Sequence, residues 1–117
     1  MKKYALYLSM LSLLIPMKVF AVGAIAVDDA VGDMDAGYGL VTGEDSEGAA
    51  KAAAMKECKK AGNDNCRVVV WFKSCGAYAA SKKYYGWGYG ADKATASDMA
   101  LDKCGNSSCK IIVAECE

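Results

Sequence analysis

The segment that decides the fold is SEGAAKAAAMKECKKAGNDNCRVVVWF, residues 46–72. Ser46 is a suitable N-cap, and alanines at three- and four-residue spacing predict a helix over residues 47–60. Residues 67–73 are rich in valine and aromatic side chains, which is typical of a strand. Cys58 therefore closes a helix and Cys66 opens the strand that follows it.

The same plan returns in the second half of the chain, in DKATASDMALDKCGNSSCKIIVAEC, residues 92–116. Ser46 and Cys58 are as far apart as Asp92 and Cys104, which indicates an internal repeat. The other matched positions are Gly37-Tyr38-Gly39 with Gly86-Trp87-Gly88, Ala50, Ala54 and Met55 with Ala96, Ala100 and Leu101, Cys66 with Cys109, and Cys75 with Cys116.

Each repeat is predicted to run strand, strand, helix, strand. The remaining strands are expected at residues 23–27, 38–42, 76–80, 84–89 and 110–115. Asp92 or Thr95 caps the second helix, whose buried face is expected to hold Met99, Ala100, Leu101 and Cys104. Trp71, between Val70 and Phe72, is expected in the core. The sequence thus predicts an α+β domain with one mixed or antiparallel sheet and two helices on one of its faces.

Six cysteines in a small exported domain indicate three disulfides. Alternation along the strands places Cys66 on the face of Val68, Val70 and Phe72, and Cys109 on that of Ile111 and Val113. If the helices cover these faces, Cys58 pairs with Cys66 and Cys104 with Cys109. Cys75 and Cys116 then remain to tie one repeat to the other.

The first residues have the pattern of a secretory signal peptide. Lys2 and Lys3 precede an apolar run, and Val19-Phe20-Ala21 offers small residues at a cleavage site. We expect a signal over residues 1–21 and a single domain over residues 22–117, in the periplasm or secreted. The apolar run is short for a membrane span, so no stable membrane insertion is expected after cleavage.

Several passages of this domain resemble a known family. They are Gly23-Ala24-Ile25-Ala26, Gly37-Tyr38-Gly39, the alanine-rich helix that ends at Cys58, residues 66–72, Cys75-Gly76-Ala77 and Trp87-Gly88, with the closing cysteines. They resemble the small exported bacterial family called domain-of-unknown-function family 4189. The resemblance covers nearly all of residues 22–117. It implies a disulfide-stabilised domain outside the cytoplasm and no particular activity or site.

Composition argues against several classes of function. The chain has no histidine, which removes the usual general base at neutral pH and histidine-ligated metals. Residues 22–117 keep all 14 acidic residues but lose three lysines, so their net charge is −3, with a single arginine. Such a domain is unsuited to nucleic acid. We expect no enzyme activity, no catalytic residue, no metal in the cysteine framework and no cofactor.

Four aspartates, Asp28, Asp29, Asp33 and Asp35, form the densest acidic cluster. They suit a docking loop that enters a basic cleft on a partner. A calcium site is an open alternative, although the spacing of an EF-hand is absent. A solvated turn that favours Asp and Gly is the third interpretation.

The second candidate surface is aromatic and comprises Tyr84, Tyr85, Trp87 and Tyr89, interleaved with glycines. Alternation places Tyr85, Trp87 and Tyr89 on one face of a strand and Tyr84 on the other. Tyrosine and tryptophan anchor interfaces because they remove a large area from water at low entropic cost. Ordinary packing in the core is the alternative for some of them.

These features together predict an exported binding module of the cell envelope that recognises a protein partner, as an inhibitor or immunity protein would. The alternatives are a secreted effector that acts outside the producing cell and a glycan-binding domain, because aromatic side chains also stack on sugar rings.

Overall fold

The computed structural model describes residues 21–29 and 36–117. The predicted signal peptide, apart from Ala21, lies outside the described residues, as do Asp33 and Asp35. The described elements, in chain order, are β1 (Val22–Asp28), β2 (Gly37–Glu44), α1 (Glu47–Lys60), β3 (Arg67–Phe72), β4 (Cys75–Ala80), β5 (Tyr85–Gly90), α2 (Lys93–Cys104) and β6 (Lys110–Cys116).

Both helices begin at a capped residue. The Ser46 hydroxyl accepts a hydrogen bond from the Ala49 N–H at 3.1 Å. A carboxylate oxygen of Asp92 accepts one from the Thr95 N–H at 2.7 Å, so Asp92 and not Thr95 is the N-cap of α2. Helix α2 ends at Gly105, which has a φ of 69°, a backbone conformation that glycine adopts without strain.

The strands form two antiparallel sheets, which corrects the prediction of a single sheet. Sheet A has the order β2-β1-β3 and sheet B the order β5-β4-β6. The central strands explain the difference, because every residue of β1 and of β4 is buried. One sheet with helices on one face would leave the other face of both strands in water, whereas two stacked sheets cover it.

The described elements therefore stack in four layers, α1, sheet A, sheet B and α2. Helix α1 packs on Ala24 and Ala26 of β1, and α2 packs on Ala77 and Ala79 of β4. Between the sheets lies a core of larger side chains, among them Ile25, Val27, Val70, Phe72 and Tyr78. The expectation of both helices on one face is wrong, since each helix covers the outer face of its own sheet.

Irregular pairing in β3 and β6 changes which side chains face the helix and which face the other sheet. The β1–β3 register slips between Ile25 and Ala26, so Val68 faces α1 while Val70 and Phe72 face sheet B. The β4–β6 register slips similarly, and Val113 faces the core between the sheets. Cys66 therefore does not share a face with Val70 and Phe72, and Cys109 does not share one with Val113.

The cysteines form three disulfides, Cys58–Cys66, Cys104–Cys109 and Cys75–Cys116, which is the expected pairing. Each of the first two links the end of a helix to the chain just before the next strand. Cys75 and Cys116 lie opposite each other at the ends of β4 and β6. This third disulfide therefore closes sheet B within the second half of the chain. The prediction that it ties the two halves together is wrong. The reason is that β3 ends at Phe72, so Cys75 already belongs to β4.

Glycines let each helix approach its sheet closely. A side chain at Gly39 would overlap the backbone of Ala54 and Cys58 in α1. A side chain at Gly86 would overlap the corresponding backbone atoms of Ala100 and Cys104 in α2. Gly39 thus makes contacts with α1 like those that Gly86 makes with α2, whereas the sequence matched Gly39 with Gly88.

Two apolar residues lie at the surface where the sequence predicted burial. Leu101 is 37% exposed because the buried stripe of α2 consists of Ala96, Ala100 and Cys104, and Leu101 is turned about 100° away from Ala100. Trp71 is 38% exposed, since α1 packs mainly on β1 and β2 and leaves the outer side of β3 uncovered.

Candidate functional site

The most distinctive surface of the described residues lies along β5. Gly86 and Gly88 face α2, so Tyr85, Trp87 and Tyr89 all point to the opposite side of the sheet. We call these three residues the aromatic row. Strand β5 is an edge strand of sheet B, and β3, which contacts it, is an edge strand of sheet A. The aromatic row therefore lies at the seam where the edges of the two sheets meet.

The members of the row differ in exposure. Tyr85 is 46% exposed and Tyr89 is 54% exposed, while Trp87 is half-buried and packs against the core between the sheets. The rings of Tyr85 and Trp87 are stacked, with centroids 6.3 Å apart and an angle of 21° between their planes. Tyr84 is also exposed but precedes the strand, in a turn where its N–H donates to the Ser81 hydroxyl.

Two cations hold the row in place. The guanidinium carbon of Arg67, on β3, lies 4.8 Å from the centre of the Tyr85 ring. The ammonium of Lys103, on α2, lies 4.8 Å from the centre of the Trp87 ring. Each contact stabilises the arrangement by about 0.5–1 kcal/mol at an exposed site. The row is thus an ordered surface that links β3, β5 and α2.

Asp29 completes this arrangement. Its carboxylate accepts a hydrogen bond from the Arg67 guanidinium at 2.7 Å, and this contact raises the pKa of Arg67 above its ordinary value. Asp29, from the acidic cluster, is therefore connected to the aromatic row through Arg67. The sequence had indicated two separate surfaces. Sequence reasoning missed Arg67 and Lys103 because their ring contacts depend on how the sheets and α2 pack.

The other described aspartate is structural. Asp28 is buried at the end of β1, and its carboxylate accepts a hydrogen bond from the Asn65 N–H at 3.2 Å. Asp28 is thus not available as a docking residue. Residues 21–29 and 36–117 contain no group of three potential metal ligands, and the two remaining aspartates of the cluster lie outside the described residues.

Tyr78 lies in the core beneath the row, opposite Trp87 in the β4–β5 pairing. Its side chain is fully buried, and its hydroxyl has no hydrogen-bond partner within the described part of the chain. Burial raises the pKa of Tyr78 to about 12, since a tyrosinate charge would be poorly solvated there, and the negative charge of Asp29 adds to the shift. Tyr78 is therefore a neutral phenol at any physiological pH.

Open grooves formed by described residues flank the stacked sheets on two sides. One, of about 490 Å³, lies between the ends of β3 and β5 and is bordered by Trp71, Lys73 and Tyr89. The other, of about 480 Å³, lies between β2 and β6 and is bordered by Tyr38, Glu57 and Glu115. The first groove thus carries a cation and two aromatic rings, and the second carries carboxylates and one ring.

Comparison with known proteins places the chain in a family. A family model described as "Domain of unknown function (DUF4189)" matches residues 22–116. The chain belongs to this family. The match confirms the resemblance seen in the sequence and covers both halves of the DUF4189 domain, with all six cysteines.

Curated relatives of this DUF4189 chain include Protein Rv1269c of Mycobacterium tuberculosis and Protein Mb1300c of Mycobacterium bovis. Each is 42% identical over 57 residues, which cover 49% of this chain and 44% of the relative. The match therefore spans less than half the length of these relatives. The NMR structure of Rv1813c from Mycobacterium tuberculosis has a TM-score of 0.63 and 24% identity, and covers 89% of this chain and 81% of that chain. It shows that the two proteins share a fold.

No helix within residues 21–29 and 36–117 combines the length and apolar character that a membrane crossing requires.

Proposed function

We propose that this chain is an exported, non-enzymatic binding module of the cell envelope that recognises a protein partner through the free edge of β5 and the aromatic row. An inhibitor or an immunity protein would use such a surface. The main support is that β5 has a regular register and no charged residue, unlike the three other edge strands of the described sheets.

Edge strands present unpaired backbone groups, and proteins commonly protect them with bulges and charged residues. Strands β2, β3 and β6 each have a register irregularity, and each contains a charged residue, such as Glu44, Arg67 and Lys110. Strand β5 pairs with β4 in an unbroken register over all six residues and contains no charge. Such an edge is suited to accept an extended segment of a partner as an additional strand.

The aromatic row supplies anchors beside this edge. Tyr85 and Tyr89 remain about half exposed on either side of Trp87. Large aromatic side chains carry a disproportionate part of the binding energy of protein interfaces. Because Arg67 and the stacked Trp87 already hold Tyr85, little side-chain entropy is lost when a partner binds.

Among the described residues, Lys103 is a part of this surface that a strand-adding partner must displace. It extends from α2, on the outer face of sheet B, to the Trp87 ring on the inner face, so its side chain crosses the edge of β5. Its contact with the ring is worth about 1 kcal/mol or less, which a new pair of strands readily offsets.

We further propose that the two halves are structural repeats and that only the second has become a binding edge. Each half has a central strand between two outer ones and a helix on the outer face. Gly39 and Gly86 make the same contacts with their helices, so Tyr38 is the counterpart of Tyr85. Tyr38 is 40% exposed, yet it lies on a bulged strand in the acidic groove.

Action outside the cytoplasm is the remaining part of the proposal. Three disulfides in one small domain support it, because such bonds form and persist in oxidising compartments. Fractionation of the producing cells into cytoplasm, periplasm and medium tests it, and a reduced protein confined to the cytoplasm would contradict it.

Affinity capture tests the function itself. The oxidised protein, the double variant Tyr85→Ser/Tyr89→Ser and the control Tyr38→Ser are each immobilised and exposed to envelope extract and to culture medium. We expect one stoichiometric protein that the wild type and the control retain and the double variant loses. Equal retention by all three proteins would eliminate the aromatic row as the binding surface. Circular dichroism of each variant verifies that the fold is intact.

A further inference from the structure

The groove between β3 and β5 has the chemistry of a second binding site. It lies at the end of the sheets where β3 turns into β4, and its volume of about 490 Å³ is within the range of small-molecule sites. Trp71 borders it from sheet A and Tyr89 from sheet B. Lys73 and Ser74, in the turn between β3 and β4, also line it.

Two aromatic residues of the groove are exposed. Trp71 is 38% exposed and Tyr89 is 54% exposed, and they border one groove from two different sheets. The groove is open to solvent, whereas the anchor side chains of protein interfaces commonly fill well-enclosed pockets. Flat rings at an open surface instead suit the apolar face of a pyranose ring, which stacks on indole and phenol rings.

The charge at the groove selects among sugars. Lys73 is exposed and forms none of the ion pairs found among the described residues. The hydroxyl of Ser74 likewise has no hydrogen-bond partner in the described part of the chain, and it can bond a sugar hydroxyl. An ammonium that has no carboxylate partner among the described residues, in a groove bordered by two aromatic residues, is complementary to a sugar that carries an acid group.

We propose that the groove bordered by Trp71, Lys73 and Tyr89 binds an acidic oligosaccharide, with a sugar ring stacked on the aromatic side chains and its carboxylate paired with Lys73. This site goes beyond the proposed recognition of a protein and does not involve Tyr85. It would hold the module on an acidic polysaccharide of the envelope. Because Tyr89 belongs both to this groove and to the aromatic row, the bound sugar would leave the Tyr85 end of β5 available to a protein.

The groove between β2 and β6 is an internal comparison. It has nearly the same volume and also contains an exposed tyrosine, Tyr38, but it is bordered by Glu57 and Glu115. Like charges would repel a sugar acid from that groove. Binding of an acidic sugar is therefore expected on one side of the molecule only.

Isothermal titration calorimetry of the whole oxidised protein with a galacturonate hexamer tests the proposal, with chitohexaose as the neutral sugar and hexaglutamate as the acidic peptide. We expect the galacturonate hexamer to bind about tenfold more tightly than chitohexaose, the ratio that one charge-assisted hydrogen bond confers. Lys73→Gln should abolish that preference, and Trp71→Ala should weaken both sugars. Tyr38→Ala and Lys56→Gln, on other surfaces, should change nothing.

Three outcomes would overturn the proposal: no binding of the galacturonate hexamer, binding that survives both Trp71→Ala and Lys73→Gln, or equally tight binding of hexaglutamate, which would identify an acidic peptide site. Thermal denaturation of each variant separates loss of binding from loss of fold. None of these results depends on capture of a protein partner, and neither Trp71 nor Lys73 belongs to the aromatic row, so failure of one proposal is distinguishable from failure of the other.

Discussion

At the residue scale, glycines determine how closely the helices lie on the sheets. A methyl group at Gly86 would meet backbone atoms of α2, which cannot move aside as a flexible side chain can. We expect Gly86→Ala to lower the free energy of unfolding by about 3 kcal/mol, the upper range for an overpacked core. Urea denaturation followed by circular dichroism measures it.

Gly48 provides the matched control for this substitution. It lies in the first turn of α1 with open space around its Cα. Gly48→Ala should stabilise the protein slightly, by about 0.5 kcal/mol, because alanine loses less backbone entropy in a helix than glycine does. Similar effects of the two substitutions would contradict close contact between α2 and β5.

Tyr78 permits a second prediction at this scale. Its buried hydroxyl lacks a hydrogen-bond partner among the described residues, so Tyr78→Phe should leave stability unchanged or raise it by about 1 kcal/mol. The pKa of Tyr78 rises from an ordinary 10.0 to about 12 on folding. Its neutral form therefore contributes stability that is complete below pH 10 and is lost as the pH rises towards 12.

Tyr78→Phe should accordingly flatten the loss of stability between pH 10 and 12. Urea midpoints of both proteins across that interval measure the difference. An identical alkaline slope in the two proteins would show that Tyr78 titrates as an exposed tyrosine does.

The sequence alone predicted the orientation of side chains correctly where a strand is regular and successive side chains alternate between its two faces. It predicted the common face of Tyr85, Trp87 and Tyr89 because β5 is regular and its glycines occupy every second position. It could not predict the contacts of Arg67 and Lys103 with this row, since these depend on how β3 and α2 pack around β5.

At the element scale, the bounds of α1 agree with the predicted residues 47–60. Ser46 and Gly62 are strong local signals for where a helix begins and ends. The faces of β3 and β6 were less predictable. Their register slips invert the alternation partway along each strand, and no residue type marks the slip. The apolar runs at residues 22–27 of β1 and 75–80 of β4 were the available sign of strands buried on both faces, and hence of two stacked sheets.

The N-cap of α2 carries the prediction at this scale. Hydrogen bonds from Thr95 lower the pKa of Asp92 below its ordinary 3.8. The ionised cap therefore contributes stability that is present above pH 3.8 and is lost as the pH falls through the lowered pKa. Asp92→Asn keeps a capping side chain that does not titrate, so it should reduce the acid-induced loss and leave stability at neutral pH little changed.

Urea midpoints of wild type and Asp92→Asn from neutral pH down to about pH 2 measure this effect, because that interval spans the titration of all carboxylates. Asp98→Asn, in the same helix but outside the cap, is the matched control for removal of a carboxylate from α2. Parallel curves for all three proteins would show that Asp92 does not stabilise α2 as an anion.

At the scale of the whole molecule, the halves are held together by packing and not by a disulfide. The Phe72 ring lies against Gly23 of β1 and Gly76 of β4, between the two sheets. The side chain of Glu117 accepts a hydrogen bond from the Gly43 N–H at 2.8 Å, which joins the end of the chain to β2. All three disulfides stabilise one half or the other.

The disulfides differ in the length of chain that they close. Cys75–Cys116 spans 41 residues and Cys104–Cys109 spans 5. In the chain-entropy model, removing the first by double substitution to alanine should cost about 4 kcal/mol and removing the second about 2 kcal/mol. Urea denaturation of the two double variants measures the difference. Equal losses, or a larger loss for the short loop, would contradict that ranking.

A protein partner that occupies the free edge of β5 should protect the backbone amides of that strand from exchange. Hydrogen–deuterium exchange of the protein alone and in complex with its captured partner tests it most directly. We predict slower amide exchange in Tyr85–Gly90 on binding, with Gly37–Glu44 of β2, its counterpart in the first half, unchanged. Unchanged exchange in β5, or protection confined to β2 or to the helices, would contradict the account.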